Sequence, residues 1–179
     1  MTELIGIPTR REGQLQDAMV RVLIVEDYEP MRQHIVSMLT GVPELRVVAE
    51  VGNGIDGVQV AGELQPDLPL MDIGLPMLDG IQATRRIRKA SPRSRILFVT
   101  ENRSLDIVEE ALRSGGSGYV LKSHSGKELL PAIDAVLGGE RFISVGLAAL
   151  ALDANTAHPG LRRFLTQSDP QSTLLPGVD

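Results

Sequence analysis

The chain of 179 residues contains no cysteine and no tryptophan. It therefore has no disulfide, no thiolate metal site and no cysteine nucleophile, which fits the reducing cytoplasm where we expect it to act. Aromatic residues make up only 3% of the chain, so aliphatic side chains have to build most of the core. No apolar run approaches the roughly 20 residues of a membrane span, and we predict no membrane association.

Basic residues are outnumbered, with 18 Lys and Arg against 23 Asp and Glu, for a net charge of −5. A nucleic-acid-binding surface needs clustered Lys and Arg. Residues 141–179 carry three Arg and three Asp and have no net charge. We therefore predict no nucleic-acid partner for this chain.

From Val20 to about residue 140, strand patterns alternate with helix patterns. The predicted strands cover residues 20–26, 45–51, 67–72, 95–100 and 118–122, and the predicted helices cover residues 30–39, 54–64, 79–90, 104–114 and 125–137. Short apolar runs separated by amphipathic helices are typical of a doubly wound α/β fold with a parallel sheet and helices on both faces. We predict five strands in that sheet.

The two ends of the chain do not follow this pattern. Residues 1–19 are polar and aperiodic, and we predict a flexible leader there. Residues 141–179 contain three prolines and one short apolar stretch, Val145 to Leu152, which predicts a tail that is partly helical or disordered. The domain itself is expected over residues 20–140.

Two short patterns resemble capping boxes, in which side chains satisfy the free amides at the start of a helix. Asp79 with Gln82 predicts the start of the third helix, and Ser125 with Glu128 predicts the start of the fifth.

Polar residues end four of the five predicted strands. They are Glu26 and Asp27 after the first strand, Asp72 after the third, Thr100 at the end of the fourth and Lys122 at the end of the fifth. In an open parallel sheet, ligands bind beyond the carboxyl ends of the strands, so we expect these side chains to meet at one rim.

The chemistry of these side chains is coherent. Carboxylates packed together repel one another unless a cation lies between them, and Mg²⁺ is a hard cation that prefers oxygen ligands. A carboxylate can also attack phosphorus and form an aspartyl phosphate. The ammonium of Lys122 and the hydroxyl of Thr100 can stabilise the transferred group. The sequence thus indicates phosphoryl transfer to Asp72 with Mg²⁺.

Four motifs, "VLIVED", "LMDIGLPMLDG", "ILFVT" and "GYVLKS", resemble the receiver domain of bacterial two-component response regulators. The resemblance covers residues 20 to about 140 and is most similar to the branch that usually carries a helix-turn-helix output. It implies a flavodoxin-like sheet with strand order 2-1-3-4-5. The remaining 39 residues are too few for such an output domain with its linker, so none is predicted.

The resemblance also implies a role for each matching position. It makes Asp72 the phospho-acceptor, Asp27 the direct Mg²⁺ ligand, Glu26 its acidic neighbour, the Gly74 carbonyl a third ligand, Lys122 the phosphoryl contact, Thr100 the switch hydroxyl and Tyr119 the switch aromatic. The implied function is that of a cytoplasmic phosphorelay receiver that catalyses only its own phosphorylation and dephosphorylation. The implied partners are a sensor histidine kinase, a phosphotransfer protein or a second receiver.

Two departures from the family pattern matter. Pro69 occupies a predicted central strand, where it cannot donate to the ladder, and we expect a local bulge or a weaker domain there. Glu101 follows Thr100 where a small residue is commonest, and we expect it to crowd the phosphoryl group.

One alternative keeps the fold and remains open at the level of sequence, and two others fit the residues less well. The chain could be a degenerate receiver that acts only as an interaction module. The glycines Gly52, Gly54 and Gly57 match a dinucleotide fingerprint with Asp72 at about the required distance. A phosphatase with a carboxylate nucleophile would need a second acid at the position of Gly74.

Overall fold

The computed structural model describes residues 19–153 and 158–167. The predicted leader, except for Met19, lies outside the described residues, as do residues 154–157 and 168–179 of the predicted tail. The strands are β1 (Val20–Val25), β2 (Leu45–Val51), β3 (Leu68–Met71), β4 (Ile96–Thr100), β5 (Gly116–Leu121) and β6 (Phe142–Ile143). The helices are α1 (Glu29–Thr40), α2 (Gly54–Leu64), α3 (Gly80–Ala90), α4 (Leu105–Arg113), α5 (Ser125–Leu137), α6 (Val145–Leu152) and α7 (Pro159–Thr166).

The strands form one sheet in the order β2-β1-β3-β4-β5-β6, and every neighbouring pair is parallel. This confirms the predicted doubly wound fold and the order of its first five strands. The predicted number of strands is wrong, because the sheet has six. The extra strand, β6, pairs with β5 through two residues, Phe142 and Ile143. Two residues are too few to show the alternation of apolar and polar side chains by which a strand is recognised in a sequence.

Alternate residues of the sheet face two separate cores. On β4, Leu97 and Val99 pack in a buried cluster with α1 and α5, whereas Ile96 and Phe98 face the opposite cluster. The opposite cluster contains buried residues of α2, α3, α4, α6 and α7. The near-continuous burial of β3, β4 and β5 follows from this two-sided covering.

Asp79 caps the start of α3 as predicted, whereas the capping box predicted at Ser125 is wrong. Oδ1 of Asp79 accepts hydrogen bonds from the amides of Ile81 and Gln82, both at 2.9 Å. Ser125 is already inside α5, because a 3-10 turn over Lys122–His124 precedes the helix, and its hydroxyl donates to the Lys122 carbonyl. The carboxylate of Glu128 instead accepts hydrogen bonds from the hydroxyl of Ser144 and the amide of Val145.

The bulge expected at Pro69 does not form. β3 runs beside β1 in continuous register, with Pro69 opposite Leu23, and the register shift lies between β1 and β2. The pairing of β3 with β4 begins only at Leu70, one residue after the proline, so the missing donor lies at the margin of that ladder. The expected loss of stability stays a prediction.

No helix among the described residues is long and apolar enough to cross a membrane.

Candidate functional site

The carboxyl ends of β1, β3, β4 and β5 bring the predicted residues to one rim. Glu26 and Asp27 directly follow β1, Asp72 follows β3, Thr100 ends β4, and Lys122 follows β5. A cleft of about 770 Å³ opens there, lined by Asp27, Tyr28, Asp72, Ile73, Gly74, Thr100, Glu101, Asn102 and Lys122. Glu26 is 1% exposed and does not line the cleft.

Three carboxylates lie close enough to share a cation. One oxygen from each of Glu26, Asp27 and Asp72 lies within 4.8 Å of the others. Asp72 is 6% exposed, whereas Asp27 is open to solvent. Because like charges at this distance repel, the group favours a bound cation.

Lys122 supplies part of the neutralising charge. Its Nζ lies 2.7 Å from Oε2 of Glu26 and 3.0 Å from Oδ2 of Asp72. Burial alone would lower the pKa of Lys122, but the hydrogen bonds to the two carboxylates and the attraction of their charges together outweigh burial and raise it. Three carboxylates carry three negative charges, and the Lys122 ammonium balances one of them. The remaining two negative charges would be balanced by one divalent cation.

Glu26 is the most deeply buried of the three acids. Burial raises the pKa of its carboxyl group, the charge of Asp72 raises it further, and the hydrogen bonds from Lys122 and the Tyr28 amide only partly offset these effects. The residues present fit Mg²⁺, since their carboxylate oxygens are the hard ligands that this ion prefers and the cleft leaves room for its waters.

Asp72 is held rigidly by the backbone around it. Its amide donates to the Val25 carbonyl at 3.0 Å, and its Oδ1 accepts from the amide of Ile73 at 2.8 Å. The start of α3 presses against this turn, so that a Cβ at Gly80 would lie 1.9 Å from the Asp72 carbonyl oxygen. Sequence reasoning missed Gly80 as a site residue, although its place after the Asp79 cap signalled a tight approach.

Gly74 and Glu101 both line the cleft and are exposed. A Cβ at Gly74 would meet nothing within 4 Å, so packing does not require glycine there. The role of the Gly74 carbonyl as a metal ligand and the effect of Glu101 on access stay predictions.

Thr100 and Tyr119 are connected through Asn102, which sequence reasoning missed. The hydroxyl of Tyr119 donates to the Asn102 carbonyl at 2.8 Å, and the Asn102 amide donates to Oγ1 of Thr100 at 3.4 Å. The Tyr119 side chain is fully buried, and burial, with a smaller effect from the Asp72 charge, raises its pKa. The two predicted switch residues therefore share one hydrogen-bonded loop.

Packing explains two of the three glycines of the dinucleotide-like motif. A Cβ at Gly54 would lie 1.9 Å from the Leu78 carbonyl oxygen, and one at Gly57 would lie 3.1 Å from Val25. Gly54 and Gly57 therefore serve close contacts with neighbouring elements, and none of the motif's three glycines lines the cleft.

Comparison with known proteins gives a consistent result. Residues 22–134 match the family described as "Response regulator receiver domain". The chain is 33% identical to the response regulator GacA of Pseudomonas aeruginosa over 130 residues, covering 73% of this chain and 61% of that protein. It is also 33% identical to the nitrate/nitrite response regulator NarL of Escherichia coli over 140 residues, covering 76% of this chain and 64% of NarL. The chain thus spans less than two thirds of these relatives.

Among solved structures, a LuxR-family two-component response regulator from Aurantimonas sp. is similar, with a TM-score of 0.70 and 34% identity. The match covers 73% of this chain and 94% of that one.

Proposed function

Because the chain belongs to the receiver-domain family of response regulators, we propose that it accepts a phosphoryl group on Asp72 in a two-component phosphorelay. The observation that carries the proposal is the position of Asp72. Its carboxylate lies at the rim of the cleft, hydrogen-bonded to Lys122 and grouped with the acids Glu26 and Asp27.

The chemistry follows from what surrounds this carboxylate. A carboxylate oxygen of Asp72 attacks phosphorus, the bond to the donor's leaving group breaks, and the leaving group departs with the bonding electrons. The Ile73 amide donates a hydrogen bond to Oδ1 of Asp72, and the Lys122 ammonium donates one to Oδ2. These two bonds fix the carboxylate in one orientation. The ammonium of Lys122 and the hydroxyl of Thr100 then face the oxygens of the transferred group, where fixed donors stabilise developing charge.

Mg²⁺ is part of the proposal. Asp27, Asp72 and the Gly74 carbonyl would hold the ion, with Glu26 buried behind them. When bound, Mg²⁺ would neutralise charge between the carboxylates and an anionic phosphodonor.

Apart from its phosphodonor, we propose no substrate for this chain, since the only reaction is the phosphorylation and dephosphorylation of Asp72. A sensor histidine kinase or a phosphotransfer protein in the cytoplasm would supply the phosphoryl group. A second receiver is a further proposed partner, and no DNA-binding activity is proposed for this chain.

Intact mass after incubation with acetyl phosphate and Mg²⁺ tests the proposal. Wild type is expected to gain one phosphoryl group, and EDTA is expected to abolish the gain. Asp72→Asn should gain none, whereas Asp134→Asn, an exposed acid on α5, should behave as wild type. No gain in a folded wild-type sample would instead favour the degenerate receiver that acts only by binding.

A further inference from the structure

The chain beyond α5 covers the face formed by β5 and α4. We call residues 141–153 and 158–167, which form β6, α6 and α7, the C-terminal segment. Its buried apolar residues are Ile143, Leu147, Ala151, Leu161 and Phe164. They belong to the same core cluster as Tyr119 on β5 and Val108, Ala111 and Leu112 on α4.

The segment is attached to β5 through Ser144. The Ser144 amide donates to the Tyr119 carbonyl at 2.9 Å, and its Oγ accepts from the Leu121 amide at 2.9 Å. Ile143 lies in register beside Tyr119. The segment therefore contacts both the backbone and the buried environment of a predicted switch residue.

The helix α7 is attached to α4. Leu161 and Phe164 are 1% and 7% exposed, and Nδ1 of His158 lies 3.1 Å from Oε2 of Glu109. The guanidinium of Arg141 lies 4.2 Å above the ring of Phe164. Because a helix of eight residues is not stable alone in water, α7 depends on these contacts to be helical.

This contact is incompletely packed. A solvent-open groove of about 480 Å³ runs between α4 and α7, bordered by Leu112, Arg113, Arg141 and Phe164 among others. Nε of Arg141 is buried without a hydrogen-bond partner in the described part of the chain. A buried donor without a partner weakens an interface, and the groove leaves part of this contact open to solvent. The helix α7 is therefore an element that can open locally while the sheet stays folded.

A short path connects this contact to the cleft. The Tyr119 hydroxyl holds the Asn102 carbonyl, and Oδ1 of Asn102 accepts from the Ser104 amide at 2.9 Å, just before α4 begins. The C-terminal segment buries Tyr119 and α4 and thereby helps to fix the loop at 101–104. Two residues of this loop, Glu101 and Asn102, line the cleft beside Thr100.

We propose that the C-terminal segment is an internal partner of the phosphorylation site, and that docking of α7 on α4 favours phosphoryl binding at Asp72. This inference rests on the proposed function. Because coupling between two sites is reciprocal, an occupied cleft must favour docked α7 by the same factor. A partner that binds the α4–β5 face would have to displace α7.

Hydrogen exchange on the unaltered chain tests the first half of the coupling. Mg²⁺ with beryllofluoride, a reversible phosphoryl analogue, is expected to slow exchange of the α7 amides by about fivefold or more. Asp72→Asn should show no such change. Unchanged or faster exchange in wild type that has bound the analogue would overturn the inference. Failure of wild type to bind the analogue would overturn the proposed function as well.

The affinity for beryllofluoride, measured by fluorine NMR, tests the second half. Phe164→Ala removes the main contact that holds α7 on α4. We expect it to weaken beryllofluoride binding by the same factor by which the bound analogue slows exchange of the α7 amides in wild type. Thr166→Ala is the matched control, because Thr166 is exposed and its hydroxyl donates only to carbonyls of its own helix. Equal affinity in Phe164→Ala and wild type would overturn the inference while the proposed function stands. If Phe164→Ala fails to fold, the exchange measurement decides alone.

Discussion

The Nζ atom of Lys122 lies 3.0 Å from Oδ2 of Asp72, although the two residues are 50 positions apart in the chain. The same nitrogen lies 2.7 Å from Oε2 of Glu26, so one ammonium holds two buried carboxylates together. We therefore expect the ion pair to serve both the proposed chemistry of the site and the stability of the fold around it.

Replacing Lys122 should expose this double role. In Lys122→Met the two buried carboxylates lose their cation, and breaking a buried ion pair costs about 3–5 kcal/mol. We expect the free energy of unfolding of Lys122→Met, measured with urea at neutral pH, to fall by roughly 3 kcal/mol. We also expect added Mg²⁺ to raise the free energy of unfolding of the variant by more than it raises that of wild type. Lys127→Met, at an exposed position of α5, should stay within about 0.5 kcal/mol of wild type. Full stability of Lys122→Met without Mg²⁺ would contradict the assigned ion pair.

Gly80 should tolerate no side chain. A Cβ there would lie 1.9 Å from the Asp72 carbonyl oxygen, so Gly80→Ala must shift the turn that carries the proposed nucleophile. We expect a loss of about 1–3 kcal/mol in urea unfolding, together with slower phosphorylation by acetyl phosphate. Gly126→Ala is the control, because a Cβ at Gly126 on α5 meets nothing within 4 Å and alanine favours a helix. If both variants are equally stable and active, α3 does not press on the Asp72 turn.

The raised pKa of Tyr119 predicts how stability depends on alkaline pH. The pKa of Tyr119 is higher in the folded chain than in the unfolded chain. At any pH below the ordinary tyrosine pKa of about 10, the neutral phenol therefore makes its full contribution to the free energy of unfolding. This contribution is lost as pH rises above that value, because the unfolded chain then releases its proton first. In Tyr28→Phe, where Tyr119 is the only tyrosine left, phenolate absorbance should appear only together with unfolding. Phenolate formation near pH 10 in a chain that circular dichroism shows to be folded would contradict this environment.

The fold was largely predictable because its signals are local. Alternating apolar runs and amphipathic helices placed the first five strands, and the rim followed from the rule that ligands bind at the carboxyl ends of parallel strands. Asp27, Asp72, Thr100 and Lys122 could be brought to one cleft by this argument alone.

The features that sequence reasoning missed depend on contacts between distant residues. The second capping box failed because Ser144, 16 residues further on, takes the carboxylate of Glu128. Asn102 carries no motif, and its role emerges only where the Tyr119 hydroxyl reaches its carbonyl, 17 residues away in sequence. Pro69 was expected to distort β3. The structure pairs β3 with β4 only from Leu70 onward, so the missing N–H of the proline lies at the end of that ladder. Where the pairing of two strands begins depends on their register, which the sequence alone does not show.

The central claim is that Asp72 is the acceptor, and reductive trapping tests it most directly. Wild type is phosphorylated with acetyl phosphate and Mg²⁺, reduced with borohydride and digested, and the peptides are sequenced by mass spectrometry. Borohydride converts an aspartyl phosphate to homoserine, and the account predicts homoserine at position 72 and at no other acid. Homoserine at Asp27 or another acid, or a phosphoryl group on a different type of side chain, would contradict it.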